Sequence, residues 1–464
     1  MEGPVSAAQT TVASQLGRYL SGLHFEDLPP NVVEKAKICL LDAIGTALEG
    51  YELEPISLAF DVAEESSNGG AATLWGRGSS VSVLPATFAN CVAIHALLHD
   101  DTLMNSWSHP AGPVIAAAIA AGEAWGIDGR RILLGIVAGY EVMGRLGGSG
   151  VIAFEGIRRG FRANSTYGVF GAAAATASML GLDAKQYANA LACAASFANG
   201  LIEPLHAGSM EWRHETGVAA QNGVQAALLA RKGLRAAATA LEGKFGFWRA
   251  FGGASEVPAA ATANLGNTFE IMSTFHKPYP TASEYTWNSA MYVTHQLVLR
   301  HKIDHREVER AEVTVMSKML TYPGLAYVGP FENIDQAIAS KPFAIAAILR
   351  NASFTSHVYQ SQLGSPEIQA LARRVRVTGS DEWIDEWRCQ VNVVLKDGSC
   401  FSGDERMVDR SIFYPNREQI TGKFRAMVAG TPFESKSDKI ASLAFSLDSM
   451  DRVSPLTAAL RKGD

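Results

Sequence analysis

The chain has 464 residues, 47% hydrophobic and 19% charged, with 43 glycines and 18 prolines. These values exclude collagen-like, disordered, coiled-coil and membrane-embedded classes and predict a globular protein of two or three domains with a large core. Forty Lys and Arg against 46 Asp and Glu give a formal net charge of -6. No basic surplus marks a nucleic-acid binder, yet a few local cations suffice to hold an anionic small molecule.

The opening stretch MEGPVSAAQTTVASQLGRYL has no cationic segment leading into an apolar one, so no secretory signal is expected. Pro29-Pro30 opens a helix to about Leu48, with Val33, Ala36, Leu40, Leu41 and Ile44 at helical spacing. Helices are predicted next over 84–98, 112–125, 128–145 behind an Asp cap, 165–180, 183–198 and 216–232. Their many Ala and Gly residues allow helix axes to approach closely, as in IAAAIAAG and ALACAASFANG. Past about residue 266 the texture changes. ERAEVTVMSKM (309–319) and RVRVT (374–378) alternate like half-buried strands, and RCQVNVVL (388–395) meets a Lys396-Asp397-Gly398 hairpin turn before continuing at 400–402. Helices around 283–299 and 339–350 lie between them. The expected architecture is mostly α: an all-helical domain over 1–266, a smaller α+β domain over 267–410, and C-terminal helices over 411–464 that pack back on the first domain.

Five cysteines (Cys39, Cys91, Cys193, Cys389, Cys400) are widely spaced with no CxxC pair, which reads as free thiols in a reducing, cytoplasmic setting. His95 and His99 share i, i+4 spacing, but HEXXH is absent and they read as core or interface histidines. Phosphate-loop, dinucleotide and GxSxG fingerprints are also missing. The segment HDDTLMNSWSHPAG (99–112) stands out, because it sets Asp100, Asp101, Thr102 and His109 in a loop that opens a helix at Pro110. Three further polar insertions interrupt apolar sequence: RRGFRANS (158–165), EWRHE (211–215) and HKPYP (276–280). They bring Arg162, Arg213 and Lys277, cations suited to a carboxylate.

Taken together, LLDAIGTALEG, LWGRG, FANCVAIHALLHDDT…SHPAG, GVFGAAAATASMLGL, GVAAQNGVQAALLARKGL, LEGKFGFWRAF, KPYP and YPGLAYVGPF resemble, in order and spacing, the MmgE/PrpD family. The resemblance implies a large helical domain under a smaller α+β lid, a homodimer, a site between the two domains, and no metal or organic cofactor. It also implies removal of a proton beside a carboxylate, followed by dehydration, decarboxylation or return of the proton. It places the family's active-site His on His109, its Thr on Thr102, its lid Lys on Lys277 and a lid Tyr on Tyr327. Three positions depart from the family pattern. Leu98 stands where an extra Asp is common, Arg162 where a His is, and Trp212, followed by Arg213, where a Lys often is. An arginine stays protonated, so Arg162 is read as a carboxylate anchor and not as a base.

The expected activity is therefore that of a cofactor-independent, dehydratase-type lyase on a small di- or tricarboxylate. The alternatives are an isomerase or epimerase, a decarboxylase, or a non-catalytic binding protein on the same fold. His109 is the expected acid–base group because imidazole titrates near neutrality. Asp101, which the sequence does not distinguish from Asp100 in this role, is expected to orient it, Lys277 to hold a carboxylate and Tyr327 to protonate a leaving group. Asp100, Thr102, Arg162, Trp212, Arg213 and His214 are expected around the substrate. Neither nucleic acid nor membrane is expected as a partner.

Overall fold

The computed structural model describes residues 11–254 and 256–463. Helix Pro30–Glu49 starts on a proline at its first helical position, where the missing N–H costs nothing, and is buried over most of its length. Asp128 and Asp183 cap Gly129–Leu146 and Ala184–Phe197 by accepting from backbone N–H groups three residues on. Helix Glu211–Arg231 packs along Ala163–Met179 and Val83–His95, and Gly129–Leu146 packs against the same Ala163–Met179 helix. Small residues make this possible. A Cβ on Gly223 would sit 2.4 Å from the carbonyl oxygen of Val169, and one on Gly139 would sit 2.9 Å from that of Gly171.

Two short strands, β1 (Ala72–Thr73) and β2 (Ser80–Val81), pair antiparallel beside this helical mass. The second half builds a four-stranded mixed sheet from β3 (Val308–Met316), β4 (Val375–Ser380), β5 (Cys389–Leu395) and β6 (Cys400–Asp404), in the order β4-β3-β5-β6. β3 runs parallel to β4 and antiparallel to β5. Gly398, at φ +85, makes the turn between β5 and β6. Helices Tyr285–His301 and Lys341–Asn351 pack together on this half.

Buried side chains form two main clusters. One runs from Val12 to Ile271 and takes in Ile420, Phe424, Ile440 and Leu456 from the last 50 residues. The other centres on residues 279–393 and reaches back to Leu97, Leu98, Leu205 and Trp212. Helices Arg417–Val428 and Ser437–Phe445 lie directly on Pro30–Glu49. No helix among the described residues is long and apolar enough to cross a membrane.

Three expected bounds move, and each shift bears on the site. The helix expected to reach Leu98 stops at His95, and Leu98 takes a left-handed backbone at φ +50. The helix expected from Thr216 starts at Glu211, so Trp212, Arg213 and His214 sit on it and not in a loop before it. The strand expected to Met319 ends at Met316 and turns through a short helical segment, Ser317–Leu320.

Candidate active site

Residues 96–110 leave helix Val83–His95 and return through a π-helical turn, Ala111–Ile115, that leads into Ala116–Trp125. Paired backbone bonds between Leu103 and Ser108 (2.9 and 3.3 Å) close the loop on itself. Paired bonds between Thr102 and Phe275 (2.9 and 3.0 Å) tie it to the HKPYP segment, bringing Lys277 beside Asp100. A cleft opens here beside the second buried cluster, where Trp107 and Tyr322 pack against both clusters. Thr102 and His109 line one wall; Ser283, Glu284 and Tyr322 line the other.

His109 is held in one tautomer. Its Nδ1 lies 2.7 Å from the carbonyl oxygen of Asp101 and 3.1 Å from Thr102 Oγ1. A carbonyl only accepts, so Nδ1 carries the proton and Nε2 keeps its lone pair. Burial, and Lys277 nearby, lower the imidazole well below its ordinary range, so it is neutral at pH 7. The backbone N–H of His109 donates to Asn164 Oδ1 at 2.7 Å, which fixes the ring's root.

Asp101 orients His109, but through its main chain. Its carboxyl faces the other way, accepting from Tyr140 Oη at 2.5 Å and from the N–H of Ala111 at 3.1 Å. Burial pushes that carboxyl up to about 7 despite the Tyr140 bond. Asp100 instead accepts from His95 Nδ1 at 2.7 Å, and His95 Nε2 accepts from Arg162 Nη2 at 2.7 Å. Burial first, then Arg162, keeps His95 neutral. The second oxygen of Asp100 has no hydrogen bond among the described residues, nor has Lys277 Nζ, 3.9 Å from it. Burial lowers the Lys277 ammonium to about 8, against the pull of Asp100. These groups form a fully buried network whose His95 ring lies 5.2 Å from that of His109.

Arg162 departs from the expected free anchor. Its Nη1 donates to the Trp212 carbonyl (2.9 Å) and Thr216 Oγ1 (2.8 Å), and its Nη2 to His95, so both terminal nitrogens are occupied by the protein itself, while Nε, 3.9 Å from Glu215, has no hydrogen-bond partner among the described residues. Trp212 is fully buried between two guanidinium groups, those of Arg162 (4.9 Å) and Arg213 (3.9 Å), and donates to Asp335 at 3.1 Å. Arg213 is paired with Asp335 and donates to the carbonyl of Ala96 at 2.8 Å, which leaves it fastening the two clusters together. His214 faces Pro55 O at 3.1 Å, away from the cleft. Tyr327 is corrected as well: it is exposed, its hydroxyl donates to Pro330 O at 2.6 Å, and Tyr322 takes its place on the cleft wall.

Sequence reasoning missed Asn164, Glu284, Lys318 and Tyr322, and it noticed His95 only for its spacing to His99, reading it as a core or interface histidine. Tyr322 was in view, as the first residue of YPGLAYVGPF. Asn164, Glu284 and Lys318 carry no spacing signal, because only folding brings residues near 164, 284 and 318 to the cleft. Among the described residues, no three His, Cys, Asp or Glu side chains converge as metal ligands would.

The family model for the MmgE/PrpD N-terminal domain matches residues 14–259, more than half of the chain. The chain belongs to the MmgE/PrpD family. This MmgE/PrpD protein is 25% identical to the cis-aconitate decarboxylase of Homo sapiens over 477 aligned positions, covering 97% of this chain and 95% of that one. It is 25% identical to the cis-aconitate decarboxylase of Aspergillus terreus, covering 98% and 97%, and 26% identical to that of Mus musculus, covering 97% and 93%.

Proposed function

We propose that the protein is a lyase acting on a small di- or tricarboxylate, and that the chemistry begins with His109 taking a proton from the carbon beside a carboxylate. The observation that carries this reading is the geometry of His109: neutral, oriented by a main-chain carbonyl, with its lone pair on a cleft wall. As the C–H bond breaks, negative charge builds on the adjacent carboxylate. Thr102 Oγ1 and Lys277 Nζ receive that charge, and the partly dry setting strengthens both interactions. A hydroxyl on the next carbon then leaves as water, taking a proton from the opposite wall, and a carbon–carbon double bond forms. Two acids are available there. Burial raises the Glu284 carboxyl, keeping it protonated further toward neutrality, and raises the Tyr322 phenol. His109 returns its proton to solvent when the product departs. Asp101, Asn164 and the His95–Asp100 pair act as positioning residues.

Decarboxylation is the second reading, favoured by the names of the relatives that align over nearly the whole chain. In it the same acids protonate the carbon chain after carbon dioxide is lost. Incubation with a panel of carboxylic acids in deuterium oxide, followed by NMR, separates the outcomes. Loss of water identifies a dehydratase, loss of carbon dioxide a decarboxylase, and deuterium gain without mass loss an isomerase or epimerase. No exchange with any compound would overturn the enzymatic reading in favour of a binding protein.

A further inference from the structure

The walls of the cleft carry a statement about which carboxylates fit. Beside Thr102 and His109, the lining from the helical half is Leu98, Met104, Trp107 and Phe154, and the facing half adds Met319 and Leu325. Leu98 and Trp107 hold left-handed backbones, each at φ +50, a region that costs a non-glycine residue energy and that persists only where the surroundings enforce it. The fold therefore keeps a leucine and a tryptophan at these two wall positions at some expense.

The cations near the cleft are few. Lys277 Nζ has no hydrogen-bond partner among the described residues and lies 3.9 Å from Asp100, fully buried and not itself among the side chains that line the cleft. Lys318 lines the same cleft from an exposed position, its ammonium 5.1 Å from the Trp107 ring and 4.4 Å from that of Phe154. The other positive groups nearby are held largely by the protein, although Arg162 Nε and Arg213 Nη2 have no hydrogen-bond partner among the described residues. Arg162 is bonded to Trp212, Thr216 and His95, Arg213 is paired with Asp335, and Lys341 donates to Thr281 and to the carbonyl of Ala282. Lys277, which makes no hydrogen bond among the described residues, and Lys318, which rests on aromatic rings, match two carboxylates. A third would have to shed its water against Leu98, Met319 and Leu325, with the Glu284 carboxyl close by, and an unpaired buried carboxylate is among the most unfavourable groups a protein can hold.

We propose that the site takes a dicarboxylate with a hydrocarbon arm where a tricarboxylate has its third acid group. One carboxylate sits at Lys277 and Thr102, the second at Lys318, and the arm lies on Leu98, Trp107, Met319 and Leu325. This rests on the carboxylate-lyase reading above and decides its substrate class.

The test uses the unmodified protein in deuterium oxide. The probes are malate, 2-methylmalate, 2-propylmalate and 2-benzylmalate beside citrate and cis-aconitate. Proton exchange and product formation are followed by NMR. The expected result is a kcat/KM that rises about fourfold per methylene from malate to 2-propylmalate, the value of burying one CH₂, and that exceeds the tricarboxylate at least tenfold. Tricarboxylates that react as fast as their alkyl counterparts, or faster, overturn the proposal and leave the carboxylate-lyase reading intact. Reaction with none of the probes overturns both. Leu98→Asp, which suits a left-handed backbone better than leucine does, and Met319→Gln are each expected to cut the alkyl preference at least tenfold. Melting temperature serves as the fold control. Folded variants that keep the full preference show that these walls do not set it.

Discussion

The Nδ1–H of His109 is committed to the carbonyl of Asp101 at 2.7 Å, so the lone pair on Nε2 is available before any substrate arrives. His109→Ala is expected to lower kcat/KM by about 10²- to 10⁴-fold, the usual worth of an acid–base group, with little change in melting temperature. Because burial and Lys277 depress this imidazole, it stays neutral as pH falls through about 6.5, where a free histidine would gain its proton. Activity is therefore expected to hold at pH 6.5 and to fall only at lower pH, and a kcat/KM profile with an acid limb at or above 6.5 would contradict this. The two tyrosines separate sharply. Tyr322→Phe is expected to reduce kcat/KM at least tenfold, as loss of a proton donor does. Tyr327→Phe, which removes only an exposed bond to Pro330, is expected to stay within about twofold of the parent. At this scale the sequence was legible where chemistry and spacing coincide, as in Asp100 to His109. It was not legible for Arg162, whose residue type suits a carboxylate anchor equally well before folding shows its fork turned onto Trp212, Thr216 and His95.

Helix Pro30–Glu49 carries a buried acid, Asp42, that joins three distant segments. It accepts from Lys423 at 2.6 Å and from His276 Nδ1 at 2.7 Å, while His276 Nε2 accepts from Lys35 at 3.0 Å. Burial alone would raise the Asp42 carboxyl, but Lys423 and His276 outweigh it and hold the group well below the usual carboxylate range. Burial, with Lys35, lowers His276 to about 4. The signs agree. A depressed carboxylate stabilises the fold above about pH 4 and loses that contribution as pH falls. A buried neutral histidine loses its contribution from about pH 6.5 downward, because the unfolded chain takes up a proton that the folded one refuses. Asp42→Asn leaves Lys423 without its counter-charge and is expected to cost about 3 kcal/mol at pH 7. In denaturant titrations the gap from the parent should narrow below about pH 4. The helices themselves were largely legible, since apolar spacing and the Asp caps at 128 and 183 are local signals. Their ends were less so. Helix Val83–His95 stops short because Leu98 turns left-handed, a choice enforced by tertiary packing that propensity does not report.

At the scale of the whole molecule, the cleft is lined by Leu98, Met319 and Leu325 of the second cluster and by Trp107 and Tyr322, which pack against both clusters. A ligand bound there contacts both, so occupancy stabilises the folded state by mass action. At a hundred times its dissociation constant a substrate analogue is expected to add about 2.7 kcal/mol. Thermal shift checks this, and it should vanish in a folded Lys277→Met variant if Lys277 holds the carboxylate. The change of texture near residue 266 was visible in the sequence because strand and helix periods differ. The Arg213–Asp335 pairing across the clusters was not, since residues 122 positions apart leave no periodic trace.

The seating of Arg417–Val428 and Ser437–Phe445 on Pro30–Glu49 has a consequence for the order in which the chain is made. The partner of the first long helix leaves the ribosome only after nearly 400 further residues, at roughly 5–20 residues per second. Through that interval Gly45 has no Phe424 or Met427 packed against it, and the apolar face of the helix stays open. A nascent chain in this state offers a sticky surface to chaperones, and one terminated before residue 417 should keep it for good. Such a chain is expected in the insoluble fraction, whereas co-expression of residues 411–464 as a separate piece should return part of it to solution.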